Sequence, residues 1–109
     1  SAYKLWDSFK KNFTKKYRYS LGIKLDNLFL ETLELLYAAS QTSRNHKLII
    51  LTQASGKLGL LKSFLQFSWD LKALDTKKYL ALSQMLDEVG RMLGGWIKLA
   101  EKETPQKSI

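Results

Sequence analysis

The residues of this chain best suited to chemistry are lysines, an arginine and aromatic rings that alternate near the N-terminus. Residues Phe13–Tyr19 read FTKKYRY. Lysine and arginine neutralise phosphates, and neighbouring rings can stack on unpaired bases, a combination found in proteins that bind nucleic acid. Alternatively, the rings fill one end of a core while the cations remain in solvent. We expect core packing for the rings and phosphate binding for the cations.

The positive charge of the chain is concentrated in the same region. The 109 residues carry a formal net charge of +8, and residues 1–24 hold seven basic side chains against Asp7 alone. Such asymmetry is typical of a surface that binds polyanions, although a solubilising face has the same composition. The predicted phosphate-binding residues are Lys10, Lys11, Lys15, Lys16, Arg18 and Lys24, with Lys62, Lys77 and Lys78 as secondary candidates.

Catalytic chemistry has little support in the sequence. There is no cysteine, and His46 is the single histidine, which excludes a histidine-based triad and a multi-histidine metal site. The acidic pairs Glu31/Glu34 and Asp87/Glu88 lack the Glu-x-x-His spacing of di-iron bundles, so we interpret them as solvated helix surface. We therefore expect no enzymatic activity, no cofactor, no metal and no small-molecule substrate. A cysteine-free chain is compatible with the cytoplasm, where we expect the protein to act.

The elements that position these residues are predicted from apolar side chains spaced three and four apart. They indicate helices at about Ala2–Phe13, Ser20–Ser40 and His46–Leu71, and a fourth helix that Asp75 or Thr76 can cap and that runs to about residue 102. The prediction is an all-α, antiparallel up-down four-helix bundle over residues 1–102, with a flexible polar tail at 103–109. Ser20 is predicted to cap the second helix, and the glycine-containing stretch Gln53–Gly59 allows a kink or local break in the third. No apolar run approaches the ~18 residues that span a bilayer, so no membrane partner is expected.

Two further patterns predict packing between helices or between copies of the chain. The second helix carries a stripe of apolar residues outside its main one, which invites a partner or another copy. The fourth helix contains three interior glycines, each costing about 1 kcal/mol relative to alanine, next to a tryptophan. Missing side chains on one helix face permit close approach of another backbone or ring. The predicted packing or oligomer-contact residues are Phe29, Leu33, Tyr37, Gly90, Gly94 and Trp96.

Three motifs together resemble a known family. They are Arg18–Gly22 (RYSLG) opening the second helix, Lys78–Tyr79 opening the fourth, and Glu88–Trp96 (EVGRMLGGW) closing it. From about Tyr3 to Lys102 the chain resembles bacterial four-helix bundles of the Avd type, the accessory variability determinant of diversity-generating retroelements. These are similar in fold to proteins encoded by intervening sequences within 23S ribosomal RNA genes. The resemblance implies a ring-like homopentamer that binds nucleic acid and a retroelement reverse transcriptase, supporting error-prone copying without chemistry of its own.

The chain also departs from that pattern. Relatives commonly carry phenylalanine-proline before the basic loop, where this chain has Phe13-Thr14. They often have two arginines four apart in the third helix, where this chain has Lys62 and Gln66. The N-terminal basic segment, from Lys10 to Lys24, is therefore the better candidate for binding. The alternative function is an oligomeric protein–protein adaptor whose apolar faces and basic end dock an acidic partner without nucleic acid.

Overall fold

Four α-helices account for most of the chain. The computed structural model describes residues 2–11 and 13–103, and within these ranges there is no strand. The helices are α1 (Ala2–Lys10), α2 (Ile23–Gln41), α3 (Arg44–Asp70) and α4 (Thr76–Glu103). A 3₁₀ turn at Lys15–Tyr17 and a π-helical turn at Arg18–Gly22 join α1 to α2. The all-α class and the four helices predicted from the sequence are confirmed, and residues 104–109 of the predicted tail lie outside the described residues.

The core is built mainly from leucines of the three long helices. They recur three, four or seven residues apart, which places them on one side of each helix. The fully or nearly buried leucines of these helices are Leu25, Leu28, Leu51, Leu58, Leu61, Leu65, Leu82, Leu86 and Leu93, and Leu74 of the turn before α4 is buried as well. The short helix α1 contributes Trp6, whose ring is buried and stacks on Phe29 of α2 with centroids 5.6 Å apart. A molecule of 53 × 25 × 20 Å results.

The junction between α1 and α2 differs from the sequence prediction. Helix α1 ends at Lys10 rather than at Phe13, and the amide of Phe13 donates to the carbonyl of Lys10 at 3.1 Å. This turn brings the Phe13 ring into the core, 5.9 Å from the Trp6 ring. Ser20 does not cap α2, because it lies inside the π-helical turn and its hydroxyl donates to the carbonyl of Tyr17. The free energy gained by burying the Phe13 ring here outweighs the preference of Ser20 for an N-cap position.

Helix α3 is continuous through the stretch where the sequence allows a kink or break. Gly56 and Gly59 are both helical and exposed, and a Cβ at either would meet nothing within 4 Å. Ala54 and Leu58 on the opposite side are buried between neighbouring helices. Tertiary packing of that side stabilises the helix against the weak helical preference of the glycines.

Helix α3 also qualifies by length and composition as a membrane-crossing segment. The qualifying stretch is Asn45–Asp70, although no uninterrupted apolar run of that length exists in the sequence. It carries Lys57, which pairs with Glu31 of α2, and Lys62, which pairs with Asp87 of α4. One helix of this kind is weak evidence for a membrane span, because core helices pass the same test.

Candidate nucleic-acid interface

The basic segment begins at the point where α1 is fastened to α2. One carboxylate oxygen of Asp26 accepts from the Tyr3 hydroxyl at 3.1 Å, from the Trp6 indole at 3.1 Å and from the Lys10 ammonium at 3.4 Å. Lys10 also pairs with Asp7 at 3.1 Å, and this hydrogen bond is the main cause of its raised pKa. Burial, followed by the hydrogen bond to Asp26, raises the pKa of Tyr3. The Lys10 ammonium is thus shared between two carboxylates before any ligand arrives.

Thr14 fastens the basic segment to the turn between α3 and α4. Its amide donates to the carbonyl of Ala73 at 3.1 Å, and its hydroxyl lies 3.1 Å from the carbonyls of both Lys72 and Ala73. Lys15 and Lys16 follow Thr14 directly. They are therefore held beside Lys72, from which they are far removed in sequence.

Lys72 is the site residue that the sequence did not reveal. It has φ = 61° and occupies the left-handed position after α3 that usually holds glycine. Its amide donates to the carbonyl of Trp69, and the amide of Ala73 donates to Ser68, both at 2.9 Å. This pattern is a Schellman ending. No local signal marks Lys72 as part of a basic surface, because the contact that places it there joins positions 58 and 59 apart.

At the start of α4, the adjacent predicted lysines Lys77 and Lys78 differ in whether a carboxylate already binds them. Asp75 caps the helix through a 2.9 Å bond from the Lys78 amide, and it pairs with the Lys78 ammonium at 2.8 Å. Those bonds to Lys78 hold the pKa of the Asp75 carboxyl below its usual value. Lys78 also lies over the Phe9 ring, 5.8 Å from its centroid, and is half-buried. Lys77 is exposed and points to no such partner among the described residues.

The structure therefore gathers six exposed cations at one end of the molecule, here called the basic end. They are Lys11, Lys15, Lys16, Arg18, Lys72 and Lys77. Arg18 donates to the backbone carbonyl of Lys11 at 3.3 Å, and Lys16 lies 5.4 Å from the centroid of the Tyr17 ring. Over the described part of the chain, none of the six forms an ion pair with a carboxylate. Their charges remain available to a polyanion.

Two of the sequence-predicted cations are not among these six. Lys24 is exposed on α2, but its ammonium sits over the Phe64 ring of α3 at 5.6 Å. Lys62 of α3 pairs with Asp87 of α4 at 3.0 Å. Asp87 lies roughly 16 Å along α4 from the first residue of that helix. Both serve contacts between helices in this structure.

The predicted packing residues also separate into groups. Phe29 is only 4% exposed and stacks on Trp6, so within one chain it packs in the core. Leu33, Tyr37 and Trp96 are exposed. A Cβ at Gly90 would lie 3.4 Å from the Lys62 ammonium nitrogen and 3.6 Å from the Leu58 side chain, which are ordinary contact distances, so packing within one chain has room for a Cβ there.

Gly94 has no such neighbour. A Cβ at Gly94 would meet nothing within 4 Å, and the same holds for Gly95. Contacts within one chain therefore do not account for these two glycines. Their role in contacts between subunits stays a prediction.

Comparison with known proteins adds the family. A family model described as bAvd-like matches residues 4–100. No curated protein and no solved structure gives a significant match. Since the family match covers nearly the whole chain, including the motifs at Arg18–Gly22 and Glu88–Trp96, this protein belongs to the bAvd-like family.

Proposed function

We propose that this protein is a non-enzymatic accessory factor of a diversity-generating retroelement that binds RNA, DNA or both through its basic end. Family membership supports the accessory role. The observation that carries nucleic-acid binding is the joining of two cationic segments by Thr14, which places Lys15 and Lys16 beside Lys72. Several cations without ion-pair partners on one surface favour electrostatic binding to phosphates.

The proposal includes assembly with further protein partners. These are other copies of the chain, as a homopentamer, and a reverse transcriptase, with the complex acting in the cytoplasm. Exposed Leu33, Tyr37, Trp96 and Leu99 supply apolar surface of the kind that subunit contacts cover. We also take the three long helices to run antiparallel up and down, since connections of two and five residues favour antiparallel neighbours.

The decisive experiment reverses charge at the basic end. The triple variant Lys15→Glu, Lys16→Glu, Arg18→Glu should lose binding to structured RNA and to duplex DNA in a gel shift, because exposed cations become anions. The matched control is Arg91→Glu, Lys98→Glu, Lys102→Glu, which makes the same change in net charge at exposed positions of α4. The control should retain binding, and circular dichroism should show both variants folded.

Salt dependence provides the second measurement. With four phosphate contacts, the affinity of the unchanged protein should fall roughly 100-fold between 50 and 200 mM salt. The triple variant should have a flatter slope. Equal loss of binding in both triple variants would mean that net charge alone matters. An unchanged protein that binds no nucleic acid, yet captures the acidic partner expected of an adaptor, would replace this proposal with the alternative function.

A further inference from the structure

Tyr19 stands apart from the other rings of the basic segment. Phe13 is buried against Trp6, and Tyr17 packs against the core beneath Lys16. Tyr19 is 80% exposed and makes no hydrogen bond or ring contact with the described residues. A large ring left in solvent forgoes the free energy that burial of its faces would supply. Core packing explains its two neighbours and does not explain Tyr19.

The backbone beneath Tyr19 is well supported. Tyr19 lies in the π-helical turn Arg18–Gly22, and such turns are frequent at functional sites. The Phe13 ring packs against Gly22 at the end of the turn, and the Tyr17 amide before it donates to the carbonyl of Thr14 at 3.0 Å. Only the two side-chain dihedrals of Tyr19 remain to be ordered by a ligand, so binding there has a small entropic cost.

The surroundings of Tyr19 combine a ring with free cations. Tyr19 lines an open groove of about 400 Å³ between the end of α1 and the start of α2. The groove residues are Asp7, Lys10, Lys11, Arg18, Tyr19, Gly22, Ile23 and Asp26. Asp7 and Asp26 are paired with Lys10, which leaves Lys11 and Arg18 as the free charges. Two cations beside one exposed ring match a nucleotide, whose phosphate carries charge and whose base has an aromatic face.

We propose that Tyr19 stacks on an unpaired nucleobase while Lys11 and Arg18 contact the neighbouring phosphates. Bases inside a duplex are already stacked on each other and do not reach a protein ring, so the ligand is single-stranded RNA or DNA. This inference rests on the proposed nucleic-acid binding and adds the class of strand that the groove accepts.

The test compares single strands with duplexes by fluorescence anisotropy. The probes are an unstructured 12-nucleotide RNA, the same sequence as DNA, and the corresponding 12-base-pair duplexes. Tyr19→Leu should lower affinity for single strands by about fivefold or more, the scale of one lost base–ring stack, and leave duplex affinity within about twofold. Tyr19→Phe, which keeps the ring, should bind single strands as the unchanged protein does.

Phe67→Leu is the matched control, since Phe67 is also aromatic, is 51% exposed on α3 and does not line the groove. It should leave the ratio of single-strand to duplex affinity unchanged. A 2-aminopurine base in the single strand should be quenched by the unchanged protein and by Tyr19→Phe, and less by Tyr19→Leu. Greater loss for RNA or for DNA would assign the natural strand.

Equal single-strand affinity in Tyr19→Leu and the unchanged protein would overturn the stacking role. A parallel loss for strands and duplexes would overturn it as well. In either case, loss of binding in the Lys15, Lys16, Arg18 charge-reversal variant would leave the proposed function standing. Absence of nucleic-acid binding by the unchanged protein would instead refute both.

Discussion

At the scale of the residue, Lys72 is the most informative position. A side chain in the left-handed region costs free energy that glycine avoids, and glycine is the common residue at this position of a Schellman ending. The Lys72 ammonium has no ion-pair partner among the described residues, so folding does not explain the choice of lysine. The proposed nucleic-acid binding would give this lysine a role, since Thr14 joins the turn at Lys72 to the segment that holds Lys15 and Lys16.

Replacing Lys72 should separate stability from binding. Lys72→Gly should raise the free energy of unfolding by about 1 kcal/mol, because the left-handed backbone is no longer strained. The same change should weaken nucleic-acid binding severalfold, because one phosphate contact is removed. Urea denaturation and gel shifts measure the two effects. Lys98→Gly, within α4, is the control and should lower stability; a Lys72→Gly protein with unchanged affinity would remove Lys72 from the interface.

Thr14 shows a second effect of a single residue. A proline at this position would have no amide hydrogen. Here the Thr14 amide and hydroxyl both contact the α3–α4 turn. Threonine at position 14 therefore supplies the hydrogen bonds that unite the basic end.

At the scale of the element, the start of α4 depends on an ionised carboxyl. Asp75 accepts the Lys78 amide as a helix cap and pairs with the Lys78 ammonium, which also places the lysine over Phe9 of α1. A negative charge at a helix N-terminus is favourable, and here it offsets the unfavourable cations Lys77 and Lys78 in the first turn. The cap thereby stabilises the element that presents Lys77.

This arrangement predicts loss of stability in acid. The pKa of Asp75 is held below its usual 3.8 by Lys78, and that of Glu31 below its usual 4.5 by Lys57. A carboxyl with a lowered pKa in the folded state stabilises it above the ordinary pKa, and this stability is lost as the pH falls through the lowered value. The thermal midpoint should therefore be level above about pH 5 and decline below about pH 4.5.

The control for this prediction keeps the cap and removes the charge. Asparagine is also a good N-cap, so Asp75→Asn should remain folded at neutral pH. Between pH 5 and pH 3 it should lose less thermal stability than the unchanged protein. An identical decline in the two proteins would show that Asp75 does not contribute to the acid transition.

At the scale of the whole molecule, packing within one chain does not explain several exposed apolar side chains. The large exposed residues include Leu33, Tyr37, Trp96 and Leu99. In addition, a Cβ at Gly94 would meet nothing within 4 Å. An interior helical glycine without a close neighbour lowers the stability of the helix, and no contact within the chain compensates for it. In the proposed homopentamer, contact between copies would cover the exposed apolar side chains and use the space at Gly94.

The variant Gly94→Leu should show whether Gly94 lies in a contact between copies of the chain. Gly94→Leu removes a poor helix former, so the helix content should be retained, but the added side chain should block a close approach and shift the assembly to smaller species. Light scattering coupled to size exclusion measures the mass. Gly59→Leu, at another helical glycine with nothing within 4 Å, is the control and should keep the original mass. Retention of that mass by Gly94→Leu would exclude Gly94 from the subunit contact.

The sequence by itself determined the all-α class, the number of helices and the family, because these follow from local spacing. Apolar residues three and four apart, such as Leu82, Leu86, Val89 and Leu93, mark a buried helix face wherever that helix packs. The motif at Glu88–Trp96 is likewise a local property. Asp75 was also among the two caps expected for α4, since capping depends on neighbours in sequence.

Only the tertiary structure decided which of these residues meet. Burial of Phe13 ended α1 early, stacking on Trp6 took Phe29 into the core, and two carboxylates occupied Lys10. The bond from Thr14 brought Lys72 to the basic end, although no pattern in the sequence connects them. Charge can be counted along a chain, but its availability to a ligand depends on contacts between residues that are far apart in sequence and adjacent in the folded molecule.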